Sequence, residues 1–135
     1  MEAVKLKINP TILYVEDNEL NQLVIRKMLN ALGYEQVLIA GDANAALALL
    51  EDPATQPDLI LMDLGLPGMD GIALAQTIRH SQLQAKNVPI IAVTGNEEVE
   101  AKVKSFAAGM NDFLVKPVEK VQLGLKLERF FSGKK

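Results

Sequence analysis

Five polar side chains stand where apolar runs of the chain end, and their chemical types suggest a reaction before any fold is assigned. Ile12-Leu13-Tyr14-Val15 gives way to Glu16-Asp17, and Asp58-Leu59-Ile60-Leu61-Met62 to Asp63. Pro89-Ile90-Ile91-Ala92-Val93 ends in Thr94, and Phe113-Leu114-Val115 in Lys116-Pro117. Carboxylates with ordinary pKa values near ~4 are all ionised at neutral pH. At about 4 Å and an effective dielectric near 20, each pair would repel by roughly 4 kcal/mol, so three acids brought together need a cation. With one histidine, no cysteine and only oxygen ligands to offer, the chain points to a hard ion, Mg²⁺ first and Mn²⁺ as its substitute. Lys116 adds a fixed positive charge and Thr94 a hydroxyl donor. Together with the cation they can share the three oxygens of a phosphoryl group held at Asp63. Phosphoryl transfer rests mostly on positioning and charge neutralisation, so this set suffices.

Each residue also has a plainer reading. Asp63 alone would pass for a turn acid, and Glu16 and Asp17 for helix caps, although Asn18 already supplies that cap. Thr94 could cap a helix beginning near Glu97. Lys116 could be a surface charge and Phe113 simple core packing. The choice depends on whether the elements around these residues bring them to one place.

Short apolar runs alternate with longer amphipathic ones. After Asn18, a predicted N-cap, the stripe Leu20, Val24, Met28 and Ala31, with Leu29 and Leu32 beside it, has helical spacing, and Gly33 is placed to stop it. Gln36 to Ala40 reads as a second strand. Asp42 is expected to cap an alanine-rich helix through Leu50, ended by Asp52-Pro53. Asp58 to Met62 is continuously apolar, as expected of a strand covered on both faces. Asp70 caps the next helix, with Ile72, Ala75 and Ile78 inward. Pro89 to Val93 is the fourth strand. The following helix is expected to carry Glu97 and Glu98 at its positive end, Val99, Val103, Phe106 and Met110 on its inner face, and a stop at Gly109. Asp112 to Val115 is the fifth strand. In the last segment Val121, Leu123, Leu125 and Leu127 alternate like a strand, while Val118, Val121, Leu125 and Phe131 fit a helix. Length and the need to cover a sheet face favour the helix.

This alternation predicts an α/β fold, a (βα)5 doubly wound, flavodoxin-like domain with five parallel strands in the order 2-1-3-4-5. Strand C-termini then share one edge, so Glu16, Asp17, Asp63, Thr94 and Lys116 should surround one cleft. The expected organisation is an N-terminal extension over 1–10, one domain over 11–131 and a short tail over 132–135. A chain of 135 residues, 49% hydrophobic and 23% charged, can bury its own core. A net charge of −3 and the lack of a basic stripe argue against direct nucleic-acid binding. No stretch is apolar enough for a membrane span or a signal peptide, so a cytoplasmic location is expected, including the cytoplasmic part of a membrane-bound sensor. Ending soon after Phe131, the chain is expected to carry no output domain.

With these residues in place, the chain resembles a response-regulator receiver domain of two-component and phosphorelay signalling from about Thr11 to Phe131. The motifs are Leu13-Tyr14-Val15-Glu16-Asp17-Asn18, Met62-Asp63-Leu64-Gly65-Leu66-Pro67-Gly68-Met69-Asp70-Gly71, Ala92-Val93-Thr94-Gly95-Asn96 and Phe113-Leu114-Val115-Lys116-Pro117. The resemblance implies that Asp63 takes a phosphoryl group from a phosphohistidine on a histidine kinase or histidine phosphotransfer domain. It implies Mg²⁺ on Asp17, Asp63 and the backbone carbonyl of Gly65, with Glu16 acting through water. It makes Thr94 and Phe113 the switch pair, Lys116 the phosphoryl partner, and Lys116-Pro117 a cis peptide. Gly65 and Asn96 occupy positions that tune the lifetime of the phosphorylated state. The subtype is most similar to the receiver module of a hybrid sensor histidine kinase, with a free-standing regulator as the alternative. The face of the fourth helix, fifth strand and fifth helix is the expected output and homodimer surface. An enzyme with an aspartyl-phosphate intermediate would usually want a second acid where Gly65 stands. A flavodoxin-like nucleotide binder would meet repulsion from the acidic turn Glu16-Asp17-Asn18-Glu19. Loss of function to a bare interaction module is at odds with the full set of site residues.

Overall fold

The sequence builds a five-stranded parallel sheet with helices on both faces. The computed structural model describes residues 9–65, 70–95 and 99–131, without the side chains of Val99 and Glu100. Glu97, Glu98 and Asn96, the Leu66-Pro67-Gly68-Met69 turn, the 132–135 tail and most of the 1–10 extension therefore lie outside the described residues. The strands are β1 (Thr11–Val15), β2 (Gln36–Ala40), β3 (Leu59–Asp63), β4 (Ile90–Thr94) and β5 (Asp112–Val115). The helices are α1 (Glu19–Ala31), α2 (Ala43–Glu51), α3 (Gly71–Arg79), α4 (Val99–Ala107) and α5 (Lys120–Phe131). Two 3₁₀ turns that the sequence pattern did not reveal, Pro53–Thr55 and Gln84–Asn87, lead into β3 and β4. All pairings are parallel, in the expected order β2-β1-β3-β4-β5.

Alternation along the strands divides the core in two. Leu13, Val15, Ile60, Met62, Ile90 and Ala92 face α2, α3 and the end of α4. Ile12, Tyr14, Leu59, Leu61, Ile91 and Val93 face α1 and α5. Side chains of period two with helices on both sides make every position of β3 and β4 buried. The helix starts are set by short acceptors: Asn18, Asp42 and Asp70 each take the backbone N–H three residues on, at 2.8 Å. Gly33 and Gly109, at φ +99° and +98°, turn the chain out of α1 and α4 through left-handed backbone that favours glycine.

Three helices present a different face to the sheet from the one expected. In α1, Ile25 and Leu29 are buried, whereas Leu20 is 67% exposed and Val24 is exposed beside it. The apolar arc of α1 is wider than one sheet layer can cover, so its period is encoded but its phase is not. In α5, Leu123 and Leu127 are fully buried, and Val121 and Leu125 point outward at 70% and 56% exposure. Residues two apart on a helix lie on nearly opposite sides, so a period-two run must put half its leucines in water. In α4, Val103 and Phe106 are exposed and Ser105 is buried, its hydroxyl donating to the Ala101 carbonyl at 2.9 Å. Small side chains there let α4 approach the sheet, and Met110 stays inside as expected.

Candidate phosphoacceptor and cation site

The sheet ladders run past the strand ends and fix the backbone of the site residues. Glu16 N–H donates to the Ala40 carbonyl at 2.9 Å, Leu64 N–H to Val93 at 3.2 Å, and Lys116 N–H to Thr94 at 2.7 Å. Strand order reverses between β1 and β3, which opens the crevice at the C-terminal edge where α/β sheets hold ligands. Glu16, Asp17, Asp63, Gly65, Thr94 and Lys116 all line that cleft, joined by Asn21, Ile72 and Lys104. Residues read as separate motifs thus meet at one rim.

Carboxylate oxygens of Glu16, Asp17 and Asp63 lie within 4.8 Å of one another. Glu16 and Asp63 are buried while Asp17 is exposed, so the cluster opens to solvent on one side. The Lys116 ammonium stands 3.2 Å from Glu16 Oε1 and 3.4 Å from Asp63 Oδ2. Its own burial would lower its pKa, but the two carboxylates outweigh this and hold it above the ordinary lysine range. Burial pushes the Asp63 carboxyl up, and the neighbouring Glu16 charge adds to that, against the Gly65 amide and Lys116. Glu16 goes the other way. Burial opposes its charge, yet donation from Tyr14, the Asn18 amide and Lys116 brings it below the usual glutamate range. Lys116 is shared by Glu16 and Asp63 only, so the three clustered carboxylates exceed the charge it offers them, and the ligand atoms are all oxygens. That chemistry fits a hard divalent cation.

Gly65 donates its N–H to Asp63 Oδ1 at 3.1 Å, and a Cβ at this position would start only 4.0 Å from that oxygen. Any side chain at residue 65 would therefore begin beside the Asp63 carboxylate. Thr94 ends β4 with 6% exposure, and Phe113 is half-buried on β5. Phe113 packs edge-on against Phe106, ring centres 6.3 Å apart, with the Lys102 and Lys126 ammonium groups 4.5 and 5.4 Å from its ring centre. The Lys116-Pro117 peptide is cis, as the resemblance implied.

Sequence reasoning missed three contributors. Tyr14 hydrogen-bonds Glu16, a tyrosine among aliphatic neighbours two residues before an acid being the available signal. Gln22 donates to the Glu16 carbonyl at 2.6 Å. Gly71 lies so close beneath Asp63 that a Cβ would collide with the Asp63 carbonyl and the Leu64 α-carbon. The Gly after Asp70 was the signal there.

An acidic triad with a lysine at the C-terminal edge of a doubly wound sheet marks an α/β domain whose cleft suits a hard divalent cation. The model for the response regulator receiver domain matches residues 12–128, and the chain belongs to that family. It is a receiver domain of two-component signalling. Over 119 residues it is 32% identical to hybrid signal transduction histidine kinase L of Dictyostelium discoideum, covering 87% of this chain and 7% of the kinase. Over 132 residues it is 31% identical to chemotaxis protein CheY-3 of Vibrio cholerae serotype O1, covering 98% of each. Among solved structures, the receiver domain of the sensor histidine kinase PA1611 from Pseudomonas aeruginosa PAO1 superposes with a TM-score of 0.82 at 38% identity. That match covers 93% of this chain and 99% of that one, whose active-site cleft holds a magnesium ion. Several other curated relatives are far longer, and the chain spans at most 17% of their length. No helix among the described residues is long and apolar enough to cross a membrane.

Proposed function

We propose that this domain accepts a phosphoryl group on Asp63 from a phosphohistidine of a histidine kinase or histidine phosphotransfer domain. The observation that carries this reading is the Lys116 ammonium, 3.4 Å from Asp63 Oδ2 at the rim of an acidic triad. An Asp63 carboxylate oxygen attacks phosphorus, the P–O bond forms, and the bond to the donor imidazole nitrogen breaks with its electron pair remaining on that nitrogen. Lys116 and the Thr94 hydroxyl hold the phosphoryl oxygens. Asp17, Asp63 and the Gly65 carbonyl hold Mg²⁺, with Mn²⁺ as the substitute and Glu16 acting through water. The cation supplies charge neutralisation for the incoming group. Thr94 and Phe113 carry the change to the surface.

The apolar residues that point away from the core suit protein contacts. Leu20, Leu23 and Val24 on α1 lie beside the site and are assigned to docking of the histidine-bearing partner. Val103 and Phe106 on α4 and Val121 and Leu125 on α5 are exposed, and the α4–β5–α5 face is assigned to output and homodimer formation. We assign the domain to a cytoplasmic module of a hybrid sensor kinase; the stretches Val15-Glu16-Asp17-Asn18-Glu19-Leu20-Asn21, Gly65-Leu66-Pro67-Gly68 and Ala108-Gly109-Met110-Asn111-Asp112 support that subtype. A free-standing regulator is the second reading, favoured by the end-to-end match to CheY-3. The coding sequence flanking residues 1 and 135 distinguishes the two.

Incubation with acetyl phosphate and Mg²⁺ tests the assignment. Mass spectrometry is expected to show one added phosphoryl group, lost in Asp63→Asn and on chelation. Equal labelling of the Asp63→Asn variant rejects Asp63 as acceptor. Millimolar Mg²⁺ is expected to raise the melting temperature, because a ligand of the folded acid cluster stabilises it by mass action, about 1.4 kcal/mol at tenfold its dissociation constant.

A further inference from the structure

Tyr14 is fully buried next to the C-terminal end of β1, yet its hydroxyl is not spent on the core. It donates to Glu16 Oε1 at 2.8 Å. Tyr14 and Glu16 are two apart on one strand and so share a face, which makes this bond a product of strand geometry. The same Oε1 also meets Lys116 Nζ at 3.2 Å and Asn21 Nδ2 at 3.4 Å. The other oxygen, Oε2, takes only the Asn18 amide, at 3.1 Å, among the described residues. Donors are thus loaded on one side of the carboxylate.

A glutamate has one more rotatable bond than an aspartate, and holding it in one place costs rotamer entropy. We infer that Tyr14 is a positioning residue for the cation site. Its hydroxyl anchors Oε1 and leaves Oε2 for the cation and its waters, which rests on the cation site proposed above. The bond has a second consequence. Oε1 divides its negative charge between Tyr14 and Lys116, so the ammonium is held less firmly by Glu16 and is freer to follow charge arriving on Asp63. Without the hydroxyl, the Glu16 side chain relaxes toward its remaining strong partner, Lys116, and away from the cation.

Tyr14→Phe removes this donor and little else. Mg²⁺ affinity, measured by calorimetric titration, is expected to fall about five- to tenfold, the fold-change that the net worth of one ordinary hydrogen bond corresponds to. Glu16→Asp withdraws the carboxylate from Tyr14 by one carbon–carbon bond. In that background Tyr14→Phe is expected to change Mg²⁺ affinity by less than about twofold, since the contact being cut is already absent. A tyrosine that merely fills the core would give equal losses in both backgrounds, and that result overturns the inference. So does an unchanged affinity of Tyr14→Phe in the Glu16 background. The chain has two tyrosines, which allows a test without mutation. In protein labelled with 3-fluorotyrosine, the ¹⁹F resonance of Tyr14 is expected to move on Mg²⁺ titration. That of Tyr34, packed against Phe131 at 5.6 Å between ring centres, stays as the internal reference. A fixed Tyr14 resonance at saturating Mg²⁺ also overturns the inference. Failure of the wild-type protein to bind Mg²⁺ rejects the cation site itself, a separate outcome.

Discussion

The Lys116 ammonium and the Asp63 carboxylate, brought from different strands, stand 3.4 Å apart. No covalent or local constraint sets this distance. It follows from β4 lying between β3 and β5, with Asp63 paired beside Val93 and Thr94 beside Val115. Asp63 is the last residue of β3 and Lys116 the first after β5, and the two charges turn into the same crevice. A lysine held there by carboxylates is a cation already in place for an anion that replaces or extends one of them.

That arrangement carries a cost when no divalent cation is bound, and the cost depends on pH. Burial, reinforced by Glu16, raises the Asp63 carboxyl above its ordinary value. A carboxyl whose folded pKa exceeds its unfolded one favours folding in its protonated form. Its contribution is complete below the unfolded pKa and is lost as pH rises through the folded value. In chelator at pH 7, Asp63→Asn is therefore expected to stabilise the protein by about 1 kcal/mol, roughly 3 to 5 °C in melting temperature for a domain of this size. The gain should shrink as pH falls through the raised value and be gone below the unfolded carboxyl range, and the Mg²⁺-induced rise should be absent in the variant. Thermal melts across pH measure this; a lower melting temperature for the variant at pH 7 would contradict it.

Gly71 is a steric requirement of the Asp63 strand end. A Cβ there would collide with the backbone of Asp63 and Leu64, and the Gly71 N–H donates to the Leu64 carbonyl at 3.1 Å. Gly71→Ala is expected to destabilise by about 1–3 kcal/mol, the usual range for overpacking. Because the collision is with the Asp63 carbonyl, phosphorylation by acetyl phosphate should also slow relative to Gly41→Ala, where an added Cβ meets nothing within 4 Å. Urea melts and labelling rates of the two variants make the comparison.

Much of this was readable in the chain because strand-forming residues, caps and polar strand ends are local signals. Asn18, Asp42 and Asp70 cap as their positions suggest, and β2 and β5 have the expected bounds. Which face of a helix turns inward is not local. Leu123 and Leu125 are identical in type and two apart, and only packing against Leu59 and Leu61 in the same cluster decides that Leu123 is buried. The bond from Tyr14 to Glu16 was hidden for another reason. A tyrosine in a buried strand satisfies every sequence rule as an apolar residue, and its hydroxyl is informative only once a partner is visible.

Gly65 leaves the Asp63 carboxylate uncovered by any side chain of its own. A Cβ at that position begins 4.0 Å from Asp63 Oδ1, so Gly65→Met places a flexible apolar side chain across the path of water to the phosphorylated residue. The aspartyl phosphate is expected to persist several-fold longer, with melting temperature nearly unchanged because residue 65 is exposed. The decay of the phosphorylated mass after removal of donor reads this directly. A faster decay would mean that the side chain recruits water to the site.

At the opposite edge of the sheet, Arg79 holds the fold without an acidic partner among the described residues. Its guanidinium donates to the carbonyls of Gly109, Lys86 and Val88 at 2.9, 2.8 and 2.7 Å, and to Asn111 Oδ1 at 2.9 Å. Asn111 Oδ1 in turn accepts the N–H of Ile90 at 2.8 Å, so α3, the turn before β4 and the turn before β5 are tied at one point. Burial lowers the Arg79 pKa, which marks how far the charge has been withdrawn from water. Gly109 must lack a side chain here for two reasons: its φ of +98°, and the approach of Arg79 Cγ to within 2.8 Å of where a Cβ would sit. Arg79→Met keeps the hydrocarbon stem and removes the donors, leaving carbonyls that each cost about 1–3 kcal/mol when buried and unpaired. Water reaches some of them, so a net loss of about 2–3 kcal/mol is expected in urea denaturation. Mg²⁺ affinity and the labelling of Asp63 should be unaffected in the folded protein, because the tie and the site lie at opposite ends of the strands. A variant that folds with full stability would show that these carbonyls find water as readily as they find Arg79.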